Sequence, residues 1–199
     1  MFIEFIILSI VIGIIRGGKF SNLFKVNFKK MWLLIVALII QYLLVVINFT
    51  DEVNYIDKLF KYMNKLAIIS YVLLFIGIIM NLRYKSLWAV LGGAVLNFVA
   101  IAANNWKMPI LLEGIGLEGF EKFHGLLEQG NLPLYTTITQ NTKLSVLGDI
   151  IIIPKPYPYP HIFSIGDLII SLGLFTLIQE IMFFGNKYNG LRYNYIGRI

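Results

Sequence analysis

The side chains able to do chemistry in this chain are few, and most fall between positions 104 and 167. Asn104, Asn105 and Lys107 stand close together where an apolar run ends. Two carboxamides and an ammonium there fit a polar cluster receiving a phosphate or carboxylate, or a helix C-cap with an interfacial anchor. Asp149 follows Gly148, which suits a turn residue or an exposed carboxylate. Ser164-Ile165-Gly166-Asp167 has capping-box spacing before an apolar run, so Asp167 reads first as a cap and second as a functional acid. His124 and His161 lie 37 positions apart with no HExxH spacing, so they imply no metal site. The chain has no cysteine, hence no thiolate, and no nucleophile–base pattern stands out. No cofactor is expected, and the balance leans away from an enzyme.

A second group of polar residues sits inside apolar runs. Glu4, Asn97 and Glu180 would be expensive in a bilayer and are either structural or functional. Ala89, Gly93 and Asn97 share a helix face at i, i+4 spacing, which suits close helix packing with a hydrogen bond across it. Glu180 is expected to pair with Arg16 or Lys19.

The elements that position these residues follow from composition. Hydrophobic residues make up 58% of the 199 residues, charged residues 14%, and mean hydropathy is +0.76. A water-soluble domain carries about a quarter charged residues, so the chain lacks the polar surface to stay in water. Five apolar stretches, 1–15, 31–47, 66–82, 87–103 and 165–184, are predicted to span a membrane as helices. Arg16, Lys19, Lys25, Lys29, Lys30, Arg83, Lys85, Lys187, Arg192 and Arg198 fall in segments with no acidic residue. Cytoplasmic loops gather Lys and Arg, so those segments are expected inside, with the N-terminus outside and the C-terminus in the cytoplasm. The net charge of +6 is thus used for topology, and no nucleic-acid surface is expected.

Two segments fall outside. Between Thr50 and Lys65, apolar residues at three- and four-residue steps predict an amphipathic surface helix or an extension of the third span. The segment 104–164 is the long extracytoplasmic cap. It is expected to hold an amphipathic helix over Pro109–Gln129 and a short hairpin joining Leu134–Thr139 to Leu144–Leu147. A polyproline-like strand follows through Pro154, Pro156, Pro158 and Pro160.

Several phrases also occur in a fixed order. They are Arg16-Gly17-Gly18-Lys19-Phe20-Ser21-Asn22-Leu23, Ala103-Asn104-Asn105-Trp106-Lys107-Met108-Pro109, Leu147-Gly148-Asp149 and Phe163-Ser164-Ile165-Gly166-Asp167. Together they resemble the small bacterial polytopic membrane proteins of domain-of-unknown-function family 5317. Members read Asn-Gly-Gly-Arg-Met-Pro at the exit of the fourth span. Here Asn105 and Trp106 stand in place of the glycines and Lys107 in place of the arginine, which removes a bare glycine turn and a bidentate guanidinium. The resemblance implies a bacterial plasma membrane and supplies no activity.

The expected fold is a single all-α, five-span membrane domain with an extracytoplasmic cap. The leading functional expectation is a non-enzymatic module that binds, senses or moves a lipid-like or amphipathic ligand at the outer face. Its candidate ligand-binding residues are Asn104, Asn105, Lys107, Asp149 and Asp167. An accessory subunit docking on a membrane protein partner through the cap comes second, and a membrane-embedded enzyme third. The lipid bilayer is a partner in every case.

Overall fold

Apolar runs without internal breakers become helices over most of the chain. A computed structural model describes residues 2–48, 53–111, 120–128, 132–158 and 160–190. In chain order the elements are α1 (Phe2–Ile15), α2 (Met31–Asn48), α3 (Val53–Ile79), α4 (Leu87–Ala103), β1 (Met108–Ile110), α5 (Glu121–Glu128), β2 (Tyr135–Thr137), β3 (Asp149–Ile153), β4 (His161–Ser164) and α6 (Ile165–Gly190). The protein is mostly helical with one small mixed sheet. Tyr62–Ile79 within α3 and Ile165–Phe183 within α6 are long and apolar enough to cross a membrane, and three shorter apolar helices accompany them.

The stretch before Lys65 is not a separate surface helix. It is the opening of α3, because no glycine or proline interrupts the chain between Val53 and Ile76.

α6 is the central element. It packs against α4 and α1, while α2 pairs with α3 and α3 meets α4 over a smaller contact. Glycine permits the closest approach. A Cβ on Gly93 would stand 2.4 Å from the Gly166 carbonyl oxygen, and one on Gly166 would stand 1.9 Å from Asn97 Oδ1. No side chain fits at either position, so α4 and α6 touch backbone to backbone. Ile78, Tyr84, Leu87, Val90, Leu177 and Ile181 form the apolar core near the start of α4.

Polar side chains stitch the interior. The Ser9 hydroxyl donates to the Phe175 carbonyl at 2.7 Å, and Gln179 Nε2 donates to Ser9 Oγ at 3.0 Å. Asn22 Nδ2 reaches the Met182 carbonyl at 2.9 Å. Asn81, fully buried, binds both the amide and the carbonyl of Lys29 and so fixes the connection before α2 to the end of α3. Meanwhile the outer faces are apolar. Ile3, Ile7, Val11, Ile14, Ile35, Leu38, Ile69, Val72, Trp88 and Leu172 are all exposed.

The cap differs from expectation in three ways. Met108–Ile110 is a strand, and Glu121–Glu128 is helical; 112–119 and 129 of the expected helix lie outside the described residues. The hairpin over 134–147 does not form. Tyr135–Thr137 instead pairs in parallel with β1, and Ser145–Leu147 is a single 3-10 turn. Finally, the prolines form no polyproline-like strand. They occupy the connection between β3 and β4, which pair antiparallel with His161 opposite Ile153. Proline cannot donate to a ladder, so it is tolerated in the turn and excluded from the paired strands. The sheet order is β2-β1-β3-β4. Ile110, Leu127 and Leu132 give the cap a core of its own, flanked by Phe123, Leu126, Tyr135 and Ile162.

Candidate functional site

The end of the α4–α6 seam carries one carboxylate whose bonding capacity is widely used. Asp167 Oδ1 accepts from Asn97 Nδ2 at 2.7 Å, and Oδ2 accepts from the Ser164 backbone N–H at 3.2 Å. The Ser164 hydroxyl donates to Asn97 Oδ1 at 2.7 Å and accepts the Asp167 N–H at 2.9 Å. This is a reciprocal capping box at the start of α6, extended by one carboxamide from α4. Its reading as a cap fits this geometry, and Asn97 serves the same joint.

Asp149 stands one strand away, in register with Ser164. It is neither a turn residue nor an exposed carboxylate. It opens β3 and is 7% exposed. Gly148 makes this placement possible, because a Cβ there would lie 2.5 Å from the Pro109 carbonyl oxygen. With β1 so close on one side and β4 on the other, the next side chain is driven inward. Its Oδ1 is buried and has no hydrogen-bond partner. Burial, and then the charge of Asp167, holds the carboxyl well above the ordinary carboxylate range, which favours its protonated form.

Asp149 lines a cavity of about 270 Å³ together with Ile110, Phe120, Phe123, Tyr135, Pro160, His161 and Ile162. β1, β2, β3, β4 and α5's N-terminal approach each contribute. Burial, and then the charges of Asp149 and Asp167, pushes the Tyr135 phenol above its ordinary value, leaving it a neutral donor. The Phe123 and Tyr135 rings meet nearly edge-on, with centroids 5.5 Å apart. His161 is flanked by Tyr157 and Phe163 at 5.8 and 5.6 Å. An apolar wall with a lone carboxyl group is the arrangement expected of a small-ligand pocket. Among the described residues no cluster of three His, Asp, Glu or Cys side chains gathers to hold a metal.

The other sequence candidates go elsewhere. Asn104 is occupied by backbone: Nδ2 donates to the Ala100 and Lys143 carbonyls at 2.8 and 2.7 Å, and Oδ1 accepts the Lys143 N–H at 3.0 Å. It ties the 139–147 loop to the end of α4. Asn105 and Trp106 both adopt left-handed backbone, φ +55° and +62°. That is the conformation glycine takes without strain, which explains a glycine pair at these positions. Asn105 is exposed, Trp106 packs on Phe98 at 5.9 Å, and neither reaches the pocket. Lys107 also lies off the pocket lining.

Glu180 does not take its expected partner. Its Oε1 accepts the Lys85 N–H at 3.1 Å, and its Oε2 accepts the Ser86 N–H and hydroxyl at 3.1 and 2.8 Å. It caps the positive end of α4 from across the bundle. Arg16 donates to Gln179 Oε1 at 3.4 Å instead. Glu4 accepts the Tyr157 hydroxyl at 3.2 Å, which tethers the proline turn to α1.

Sequence reasoning missed Tyr135, Phe120, Phe123 and Ile162 as pocket residues. Tyr135 falls in the expected hairpin and the phenylalanines in the expected amphipathic helix. The only signal was the aromatic density of the cap.

Comparison with known proteins adds a family and no activity. An uncharacterized protein of Thermotoga maritima is 24% identical over 178 residues, covering 88% of each chain. No solved structure matches. The model of the family of unknown function DUF5317 matches residues 25–179. That stretch runs from the first basic connection to the heart of α6 and includes the whole cap, and the chain belongs to the DUF5317 family.

Proposed function

We propose that this protein is a five-span, multi-pass protein of the bacterial plasma membrane, with its N-terminus outside and its C-terminus in the cytoplasm. Its cap binds a small amphipathic ligand at the outer face without chemical conversion. The observation that carries the binding reading is the cap pocket with the buried, unpartnered Asp149 Oδ1 in an otherwise apolar and aromatic wall. A buried polar atom without a partner is costly, and a ligand that satisfies it recovers that cost on binding. The membrane reading is supported by a bundle turned inside out. Exposed aliphatic residues cover α1, α2 and the outer faces of α3 and α4, while Ser9, Asn22, Asn81, Asn97 and Gln179 are buried.

The absence of cysteine makes the topology directly testable. Lys143→Cys should react with a membrane-impermeant maleimide in intact cells, and Lys85→Cys only after permeabilisation. The reverse pattern sinks the orientation. For the ligand, native mass spectrometry of protein released gently from its own membrane should show a retained small mass that Asp149→Leu loses. A bare chain in both samples counts against the pocket as a binding site. The cap also exposes Leu144 and Val146 on one turn, which favours docking onto a membrane protein partner as the second reading. A retained protein mass that disappears in Val146→Ser would select it.

A further inference from the structure

Four rings share one small space with one carboxyl group. Phe120, Phe123, Tyr135 and the His161 imidazole line the same 270 Å³ cavity as Asp149. We propose that this pocket holds an organic ammonium group, with the Asp149 carboxylate as its counter-charge and the aromatic rings as its cage. The proposal rests on the cap pocket being a binding site, and it narrows the ligand from an amphipathic molecule to an amine or quaternary ammonium.

Burial in the apolar wall, and then the charge of Asp167, disfavours the ionised form of Asp149. An ammonium supplies an opposite charge at the unpartnered Oδ1. Ring faces attract cations through their quadrupoles, and rings set at steep angles enclose a cation from more than one side. Phe123 and Tyr135 are 79° apart in plane. A neutral guest would gain apolar burial only. An anion would meet Asp149 with the charge of Asp167 behind it. The volume lies at or just below the small end of ligand pockets, roughly 300 Å³, which suits a head group or a small free amine. Where Asp149 is protonated, occupation breaks its O–H bond and sends the proton to solvent while the ammonium takes its place. The titratable groups around Asp149 are Tyr135 of β2, His161 of β4, Asp167 of α6 and Tyr71 of α3, the last within reach of its charge.

The test uses the full chain in phosphatidylglycerol nanodiscs and calorimetric titration with three probe classes. These are choline and butylammonium as cations, 3,3-dimethylbutan-1-ol as the neutral isostere of choline, and 3,3-dimethylbutanoate as an anion. One of the cations should bind at least tenfold tighter than the neutral and anionic probes. Asp149→Asn should lose that advantage and leave the neutral probe unchanged. Phe123→Leu should weaken the cation at least threefold with the carboxyl intact, which keeps the test open if Asp149→Asn does not fold. Equal or tighter binding of the neutral or anionic probe overturns the cation assignment while leaving the pocket as a binding site. Failure of all three classes, with a bare chain in native mass spectrometry, overturns both. Repeating the titration with phosphatidylethanolamine in the nanodisc separates the sources. Competition points to a lipid head group, and undiminished cation binding to a free amine.

Discussion

Asp149 opens β3 and Asp167 lies in the first turn of α6, near enough for one charge to act on the other, and the two live in opposite circumstances. At the bundle end, Asp167 is held by a carboxamide and a backbone N–H, with Ser164 returning a hydrogen bond. In the cap, Asp149 Oδ1 is held by nothing. A network this complete fixes a joint, here the meeting of α4, β4 and α6. An incomplete one is a place where something else can bind. The two residues look alike in sequence, each an aspartate near a glycine, so only their surroundings separate structure from candidate function.

The largest effects belong at the joint. Gly166→Val should abolish folding, because the added atoms would overlap Asn97 and the α4 backbone; a monodisperse, cooperatively unfolding variant would contradict the packing. Asp167→Ala should cost about 3 kcal/mol by stranding Asn97 and the Ser164 amide, read as a lowered midpoint of thermal unfolding in detergent. Asp149→Leu should run the other way, neutral or stabilising by about 1 kcal/mol, because it replaces an unsatisfied buried acid with an apolar side chain. A loss of 2 kcal/mol or more in that variant, on this scale, would mean Asp149 is structural after all.

The pH dependence sharpens the contrast. Asp149 has a folded-state value raised above its unfolded one, so its contribution to stability is fully present below the ordinary carboxylate range near 3.9. It is lost as pH rises toward the raised folded value, because the unfolded chain releases the proton first. Stability should therefore fall over that window in the parent, and Asp149→Asn should flatten the slope. A saturating organic cation should flatten it too, by making the ionised form acceptable. The smallest effect belongs at the joint between bundle and cap. Asn105→Gly should stabilise by at most about 1 kcal/mol by relieving left-handed backbone, with no change in ligand binding.

The sequence determined the helical stretches. Their apolar residues run without breakers, and this local property needs no partner to be visible: the expected second and fourth spans coincide with α2 and α4 to within a residue. The Ser164–Asp167 cap was legible for the same reason, since its partners are three residues apart. The family was legible from short phrases, and the family model matches residues 25–179. What the tertiary structure alone decided is everything that depends on distant neighbours. Parallel pairing of β1 with β2 and β3 brings segments 25 and more residues apart into register, and no local pattern encodes it. The sheet as a whole buries Asp149 and collects four rings around it from three segments, and the antiparallel pairing of β3 with β4 turns the prolines into a hairpin connection. Glu180 reaches the N-terminus of α4 rather than Arg16 or Lys19 because helix packing sets those N–H groups within its reach. A carboxylate's neighbours are a matter of three-dimensional contact, and so is its chemistry.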